Sequence, residues 1–251
     1  MLDALKRRVC EANLDLVRRG LVLETWGNAS ALDRPRGLVV IKPSGVDYAA
    51  MQPRDMVVVD LATGAVVEGR WKPSSDTATH RVLYQAFPAI GGVAHTHSLH
   101  ATAWAQARRS IPPLGTTHAD AWRGPVPCTR PLRPAEIRGD YEANTGRVIA
   151  EAFRRLDPLE CPAALVASHG PFTWGRSVED AVAGAAVLEF VARLAGEALR
   201  LQPRLPAIPK VLLDRHFLRK HGPGASYGQN GANPSPARPR AKAPSPSEGN
   251  L

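Results

Sequence analysis

Short runs of β-branched residues recur at irregular intervals along the chain, and they limit the available folds more than any other feature. The predicted strands cover residues 37–42 (GLVVIK), 56–60 (MVVVD), 65–67, 91–97 and 163–167. The turn Ala62-Thr63-Gly64 joins the second and third of these strands, which predicts a β-hairpin. The run at 163–167 is uniformly apolar, which predicts a strand buried inside the molecule.

Helical periodicity occupies most of the sequence between these strands. Leu2, Leu5, Val9, Ala12 and Leu16 repeat at helical spacing before a stop at glycine, so the first helix is predicted to end near residue 19. Further helices are predicted after the polar loop 72–76 and at residues 101–107, 136–156, 178–201 and 211–219. Strands and helices mix without strict alternation. The predicted fold class is therefore α/β, a single layered domain with a central, mostly antiparallel sheet flanked by helices.

The last 22 residues differ in composition from the rest of the 251-residue chain. Residues 230–251 read NGANPSPARPRAKAPSPSEGNL and contain no aromatic and no β-branched residue. Such a segment buries too little apolar surface to offset the entropy lost on ordering. We therefore predict one folded domain over residues 1–229 and a disordered Pro/Ala/Ser-rich tail over residues 230–251.

Charge and cysteine usage narrow the classes of function. The net charge of +9 suits an anionic substrate, but no Lys/Arg run interleaved with aromatic residues accompanies it, so nucleic-acid binding is not expected. The three cysteines, Cys10, Cys128 and Cys161, are far apart and form no Cys-x-x-Cys motif. Neither a disulfide framework nor a zinc knuckle is indicated, and the reducing cytoplasm is the predicted location.

No segment is predicted to target or cross a membrane. The N-terminal sequence MLDALKRRVCEANLDLVRRG lacks the uninterrupted apolar core of a signal peptide. The most apolar stretch, residues 181–196, is interrupted by Glu189 and Arg193, so it is not expected to be a membrane span.

The sharpest local feature is His95-Thr96-His97 at the end of a predicted strand. Side chains at i and i+2 of a strand project from the same face, so the two imidazoles converge. His169 also lies where a strand gives way to a glycine-containing turn. Three imidazoles with a free coordination position make a catalytic metal site. Asp76 would either add a carboxylate ligand to this site or act on the substrate. Eight histidines in a chain of this length also produce such a pair by chance, so the pair alone does not decide for a metal.

Three polar turns are candidates for binding an anion. They cover residues 25–30 (TWGNAS), 42–45 (KPSG) and 73–76 (PSSD). Hydroxyls and backbone N–H groups in such turns can hold a phosphate dianion, and Lys42 would add a positive charge. Ser, Gly and Asn are also the ordinary residues of turns, so each loop by itself leaves both interpretations open. No Walker-type loop and no dinucleotide-binding fingerprint is present, so a nucleotide is not indicated.

Taken together, these segments resemble the class II aldolase/epimerase family, and within it the bacterial L-ribulose-5-phosphate 4-epimerases. The resemblance extends in order over residues 1–229 through TWGNAS, VIKPSGVDY, DMVVVD, KPSSDTATH, GGVAHTHS, GTTHAD, PCTR, SHGPFTWG, EDAV, LRKHG and YGQ. Several long motifs in register are far more specific than three histidines. The proline-rich tail departs from the family pattern, as does Ala167, where close relatives can carry another histidine.

The resemblance implies one divalent ion per subunit, zinc or a similar ion such as manganese, held by His95, His97 and His169 with Asp76 beside it. The implied substrate-binding residues are Gly27, Asn28, Lys42, Ser44, Gly45, Ser74, Ser75, Glu142 and His216, with the phosphate at the glycines, the serines and Asn28. It also implies Asp120 and Tyr227 as the proton-transfer pair. Family members are cyclic tetramers with active sites between subunits, so a homotetramer is expected, with Tyr227 near a neighbour's metal.

The reaction that the resemblance implies is cleavage of the C3–C4 bond of L-ribulose 5-phosphate and its re-formation with C4 inverted, giving D-xylulose 5-phosphate. A sugar-phosphate aldolase of the fuculose- or rhamnulose-phosphate type is the first alternative. These aldolases tend to carry a glutamate at the position of Asp76. The second alternative is a non-enzymatic module like the adducin head, which lacks the metal histidines. The pathway stays open between arabinose catabolism and ascorbate breakdown, which use near-identical epimerases.

Overall fold

The computed structural model describes residues 2–222 and residue 225, and a single antiparallel sheet forms its centre. The strands are β1 (Asn28–Asp33), β2 (Leu38–Ile41), β3 (Val57–Asp60), β4 (Val66–Glu68), β5 (Gly92–His95), β6 (Ala163–Leu165) and β7 (Pro171–Gly175). They lie in the order β4-β3-β2-β1-β5-β7-β6, and every pairing between these strands is antiparallel. The predicted fold class is confirmed.

Helices cover the sheet and connect its strands. They are α1 (Leu2–Arg18), α2 (Thr77–Ala86), α3 (Leu99–Gln106), α4 (Thr116–Ala119), α5 (Pro134–Arg138), α6 (Tyr141–Ala152), α7 (Val178–Leu201) and α8 (Lys210–His221). The long α7 begins at a capping box in which Ser177 and Asp180 each accept the other's backbone N–H. Within the described part of the chain, no helix is both long enough and apolar enough to cross a membrane.

The β-branched strands are buried on both faces. Val57 and Val59 of β3 pack into one apolar cluster with residues of α2 and α6, whereas Val58 packs into a second cluster with α1 and the first turns of α7. All three valines are completely buried. A strand covered on both faces is apolar throughout, which explains the unbroken run VVV. Burying each of these side chains stabilises the fold by about 1.5–3 kcal/mol.

Strands β1 and β7 were not predicted from the sequence. The sequence pattern predicts a polar turn over residues 25–30, yet Asn28 and Ser30 lie in β1, where the Asn28 NH₂ group and the Ser30 hydroxyl form hydrogen bonds in the interior. Strand β7 begins at Pro171, a residue that local patterns associate with turns. In both cases contacts from distant segments outweigh the local preference.

Other element boundaries also differ from the prediction. The helix predicted over residues 136–156 is two helices, α5 and α6, separated at Gly139-Asp140, where the backbone leaves the helical conformation. Strand β5 ends at His95, so His97 lies beyond the strand, and β6 ends at Leu165. The predicted boundary at residue 229 and the predicted tail over 230–251 lie outside the described residues.

Candidate active site

Three histidines meet at one edge of the sheet. His95 is the last residue of β5, His97 follows two residues later, and His169 lies in the turn between β6 and β7. Their ring centroids are 4.8 Å apart for His95 and His97, 4.8 Å for His95 and His169, and 5.2 Å for His97 and His169. One ligand nitrogen of each ring lies within 4.8 Å of the others. The antiparallel pairing of β5 with β7 sets His95 opposite Phe172, and this brings the preceding turn with His169 alongside.

The buried ring of His95 is held so that one nitrogen faces the other histidines. Its Nδ1 donates to the carbonyl oxygen of Pro171 at 2.9 Å, and its ring stacks on Phe172 with centroids 4.1 Å apart. The carbonyl can only accept, so Nδ1 carries a proton and Nε2 is the nitrogen left to bind a metal. This Nε2 lies 3.1 Å from Nε2 of His97. A second partner on the remote nitrogen is the usual way in which proteins orient a metal-binding histidine.

Two glycines allow other backbone segments to approach the histidine run closely. Gly27 has a φ of +85°, and an added Cβ would lie 2.9 Å from the carbonyl oxygen of His95. At Gly170, an added Cβ would lie 2.9 Å from the carbonyl oxygen of Thr96. A larger residue at either position would therefore displace the segment that carries His95.

The electrostatic environment keeps two of the three imidazoles in the form that binds metals. Burial lowers the pKa of His169 to about 4, and the neighbouring His95 and His97 contribute to this lowering. Burial also lowers the pKa of His97. Burial by itself raises the pKa of the Asp76 carboxyl, but the imidazoles of His95 and His80 and the Asn28 amide bring it below its ordinary value. Two of the three imidazoles are thus held neutral at pH 7, beside an ionised carboxylate, and neutral imidazole is the form that a divalent ion binds.

A cleft of about 530 Å³ opens in front of the three rings, and we call it the histidine cleft. Asp76 lines it, but Asp76 is not among the groups whose ligand atoms lie within 4.8 Å of one another in the described residues. The predicted substrate-binding residues that also line it are Gly27, Asn28, Lys42, Ser44, Gly45, Ser74, Ser75 and Glu142. The fold therefore brings together side chains from segments that are far apart in the sequence.

The two serine turns face each other across an isolated antiparallel bridge between Pro43 and Pro73. In this bridge the backbone N–H of Ser44 donates to the carbonyl of Lys72 at 2.9 Å, and that of Ser74 donates to the carbonyl of Lys42 at 3.0 Å. These two N–H groups are therefore not available to a phosphate, so the predicted anion site cannot use every backbone N–H group of the turns. Ser44 and Ser75 are exposed, and their hydroxyls and the N-terminal end of α2 stay available.

Lys42 supplies a buried positive charge at the rim of the histidine cleft. Its Nζ donates to the carbonyl oxygens of Pro43 at 3.2 Å and Val46 at 3.1 Å, and it lies 4.7 Å from the centre of the Tyr48 ring. Burial lowers the pKa of Lys42 to about 8, partly offset by Asp47. The ammonium group is therefore mostly charged at pH 7 and only weakly screened by water, which strengthens its attraction for an anion.

Asp120 and His216 lie together but away from the histidine cleft. Asp120 follows α4, and its Oδ1 accepts from Nδ1 of His216 on α8 at 2.9 Å. Lys220 Nζ lies 3.2 Å from Oδ2 of the same carboxylate, and we call these three residues the Asp120 cluster. Burial raises the pKa of Asp120, but the hydrogen bonds from His216 and Lys220 outweigh it and bring the pKa below its ordinary value.

Neither Asp120 nor His216 lines the histidine cleft. Asp120 lines a separate cleft of about 690 Å³, beside apolar residues of α7 such as Val187 and Phe190. Within the described part of one chain, the predicted catalytic and metal-binding residues are therefore apart. Tyr227, the second predicted proton-transfer residue, lies outside the described residues.

Two aromatic residues of the histidine cleft were not predicted as site residues. The hydroxyl of Tyr141, at the first turn of α6, lies 3.4 Å from Nδ1 of His169. The exposed ring of Trp26 lies 6.1 Å from the ring of His97. Trp26 belongs to the motif TWGNAS, which could have drawn attention to it, whereas only its position next to Glu142 pointed to Tyr141.

Residues 7–195 match the family of the class II aldolase and adducin N-terminal domain. The chain belongs to this family. A curated relative, the L-ribulose-5-phosphate 4-epimerase UlaF of Salmonella paratyphi B, is 58% identical over 228 residues, which are 91% of this chain and 100% of the relative. The same epimerase of Salmonella typhi is also 58% identical over 228 residues. The family resemblance inferred from the motifs is thus confirmed.

Solved structures of the family share the fold. An L-fuculose 1-phosphate aldolase superposes with a TM-score of 0.72 at 25% identity, covering 85% of this chain and 94% of the aldolase. The L-fuculose-1-phosphate aldolase of Thermus thermophilus gives a TM-score of 0.62 at 26% identity, covering 80% of this chain and 97% of the aldolase. Class II aldolases depend on a divalent metal ion, and the histidines at 95, 97 and 169 offer such an ion three ligands.

Proposed function

We propose that the chain is an L-ribulose-5-phosphate 4-epimerase, which interconverts L-ribulose 5-phosphate and D-xylulose 5-phosphate. One observation carries the proposal: 58% identity over the entire length of a curated epimerase. The geometry of the site supports it, because three imidazoles and an ionised carboxylate face the same cleft as the serine turns and Lys42.

We propose zinc as the ion, one per subunit, because three imidazoles with an open position are a usual ligand set of catalytic zinc. Manganese is the next candidate among ions that imidazole and carboxylate ligands hold. When bound by His95, His97 and His169, the ion would supply Lewis acidity, which draws electrons toward the substrate carbonyl.

The free cysteines Cys10 and Cys161 are buried, which suits a protein of the reducing cytoplasm.

The protein groups move the protons of the reaction. Loss of the C4 hydroxyl proton to a base forms the aldehyde as the C3–C4 electron pair passes toward the carbonyl oxygen at C2. The aldehyde then turns, the bond re-forms on its other face, and the C4 oxygen takes a proton from a group on the opposite side. Asp120, whose lowered pKa keeps it ionised, would serve one face and Tyr227 the other.

The serine turns and Lys42 would hold the phosphate while the aldehyde turns. Retention matters, because a fragment that leaves the site gives an aldolase rather than an epimerase. The charge of Lys42 and the hydroxyls of Ser44 and Ser75 would bind the dianion, and all three residues line the histidine cleft. Holding the fragment converts its re-addition into an intramolecular step.

We further propose that the enzyme is a homotetramer with active sites between subunits. The separation of Asp120 from the histidine cleft within one chain supports this arrangement, since both are needed for one reaction. The cleft beside Asp120 is flanked by the large apolar side chains Val187 and Phe190 of α7, both exposed in the single chain. An exposed apolar surface of this kind favours contact with another subunit.

A sugar-phosphate aldolase of the same family is the second candidate, favoured by the fold similarity to L-fuculose 1-phosphate aldolase. The two activities are separated by supplying purified, zinc-loaded protein with each substrate in turn. Formation of D-xylulose 5-phosphate from L-ribulose 5-phosphate supports the epimerase. Release of dihydroxyacetone phosphate from L-fuculose 1-phosphate, with no pentulose epimerised, would overturn it.

A further inference from the structure

Two buried residues of β1 are joined to Asp76, the residue before α2, and to His80, one helical turn later in α2. Asn28 Nδ2 donates to Oδ2 of Asp76 at 2.7 Å, and Ser30 Oγ lies 2.7 Å from Nδ1 of His80. Residues i and i+2 of a strand share one face, and residues i and i+4 of a helix share one face. The two hydrogen-bonded contacts therefore lie next to each other between β1 and α2. His80 and Ser30 are completely buried.

The hydrogen bonds around Ser30 determine which nitrogen of His80 carries a proton. The Tyr84 hydroxyl donates to the backbone carbonyl of Ser30 at 2.9 Å, because a carbonyl can only accept. The 2.8 Å contact between the Ser30 and Tyr84 hydroxyls must then use the proton of Ser30. The contact between Ser30 and His80 can use only a proton on Nδ1 of His80. Burial lowers the pKa of His80 to about 3, so the ring is neutral and Nε2 is a bare acceptor.

The orientation of the Asn28 amide is determined in the same way. The ionised carboxylate of Asp76 only accepts, so the NH₂ group of Asn28 faces it and donates its second proton to Ser74 Oγ at 3.0 Å. Asn28 Oδ1 is thus a second acceptor, also buried. Among residues 2–222 and 225, no donor lies within hydrogen-bond distance of Asn28 Oδ1 or His80 Nε2. Buried acceptors without a donor are rare in folded proteins, and here two of them belong to neighbouring contacts.

We propose that one buried water molecule donates to both His80 Nε2 and Asn28 Oδ1, and that His80 is thereby a positioning residue for Asp76. The two acceptors belong to neighbouring contacts between β1 and α2, and one water molecule can bridge two acceptors that are about 5–6 Å apart. A water molecule carries two protons, one for each acceptor. The water keeps the Asn28 amide from turning over, so that its N–H stays on Asp76 at the histidine cleft. The importance of Asp76 rests on the proposed function, but the water does not.

A crystal structure of the full-length protein at a resolution that shows ordered water tests the first part directly. We expect one water peak within about 3 Å of both His80 Nε2 and Asn28 Oδ1. No peak at this position, or a peak that contacts only one of the two atoms, overturns the proposal. This experiment needs no activity, so its outcome is independent of the reaction that the enzyme catalyses.

Two substitutions of His80 separate the roles of its two nitrogens. The amide of His80→Asn reaches the position of Nδ1 and keeps the donor to Ser30, but it leaves nothing at the position of Nε2. The amide oxygen of His80→Gln reaches the position of Nε2 and keeps an acceptor for the water. Zinc affinity, measured by competition with a chelator, and kcat/KM are compared for both variants, with thermal unfolding as the control for folding.

We expect His80→Asn to lower zinc affinity and kcat/KM by about 10- to 100-fold, as changes behind a metal site do, and His80→Gln by less than about threefold. A purely structural role would instead lower both variants together, in step with their thermal stability. Equal losses, no loss in either variant, or a larger loss in His80→Gln overturn the proposal. The zinc measurement stands even if the protein proves to be an aldolase.

Discussion

The histidine cleft and the Asp120 cluster differ in what their polar groups face. In the histidine cleft, the ring nitrogens of His95 and His97 point at each other across 3.1 Å, and both rings face an open cleft. In the Asp120 cluster, both carboxylate oxygens already accept from His216 and Lys220 of the same chain. One region is arranged to receive a ligand, and the other is a charged base held in place at the surface. On the proposed function, the histidines of one subunit bind the metal, whereas proton transfer at the same site needs Asp120 of a neighbouring subunit.

The largest effect should come from removing a ligand of the histidine cleft. His97→Asn is expected to lower kcat/KM by about 1000-fold or more and to abolish stoichiometric zinc binding, because an amide is a far weaker zinc ligand than imidazole. Metal content by elemental analysis and steady-state kinetics measure the two losses. His100→Asn, three residues later on α3 and outside the cleft, is the matched control and should retain metal and activity.

The Asp120 cluster should affect turnover without affecting the metal. Asp120→Asn is expected to lower kcat by about 10²–10⁴-fold, because the amide cannot take a proton, while zinc content stays at the wild-type level. Asp214→Asn is the matched control, since Asp214 lies on the same helix as His216 and accepts from Lys210 and Arg123, outside both regions. Loss of metal in Asp120→Asn would show that the two regions are not separate.

Mixing subunits sharpens the comparison further. If each site combines the histidines of one subunit with Asp120 of its neighbour, co-expressed His97→Asn and Asp120→Asn chains should form mixed tetramers. In these about a quarter of the sites would be intact. We expect activity near that fraction of wild type, whereas either variant alone is almost inactive. No recovery in verified mixed oligomers would place both groups in the same subunit.

A smaller effect is expected from the charge of Lys42. Because burial sets the pKa of Lys42 at about 8, the ammonium group is lost as the pH rises above 8, and the substrate phosphate then loses its partner. KM should rise above pH 8, approaching tenfold per pH unit.

The stability of the fold, in contrast to substrate binding, should improve as Lys42 loses its proton. The unfolded lysine holds its proton up to about pH 10.5, so the free energy of unfolding should increase between pH 8 and 10.5.

Lys42→Met provides the control for this pH dependence. The variant should have a higher KM at pH 7 and, between about pH 8 and pH 9.5, none of the rise in KM that titration of the wild-type ammonium produces. Zinc content should be unchanged. A wild-type KM that stays flat over this range would show that Lys42 does not contact the phosphate.

The smallest effect is expected from removing residues 230–251. Their composition cannot form a packed core, so we propose that the folded domain ends near residue 229 and that its activity does not need the tail. A chain ending at Gln229 should have a kcat and a melting temperature within experimental error of the full chain. A large loss of kcat would indicate that residues after Tyr227 contribute to the site.

Much of the fold and of the site could be predicted from local patterns. Strands β2 and β3 follow from unbroken runs of β-branched residues, and α7 was predicted with its observed ends because Ala, Val and Leu recur at helical spacing from Val178 to Leu201. The histidine pair at 95 and 97 was visible because the two ring-bearing residues are neighbours in sequence. These features depend on interactions between residues that are close along the chain, and such interactions can be inferred from sequence.

Other features were decided only by the tertiary structure. The polar residues Asn28 and Ser30 became part of the central strand β1 because they form hydrogen bonds with Asp76, just before α2, and with His80 of α2. His169 reached His95 only through the pairing of β5 with β7, and no local pattern showed that Asp120 would lie outside the histidine cleft. The sequence by itself determined where most of the helices and strands form, and it indicated the three histidines that meet at one edge of the sheet. Long-range pairing decided which of them meet, because the partners that stabilise each contact lie tens of residues apart.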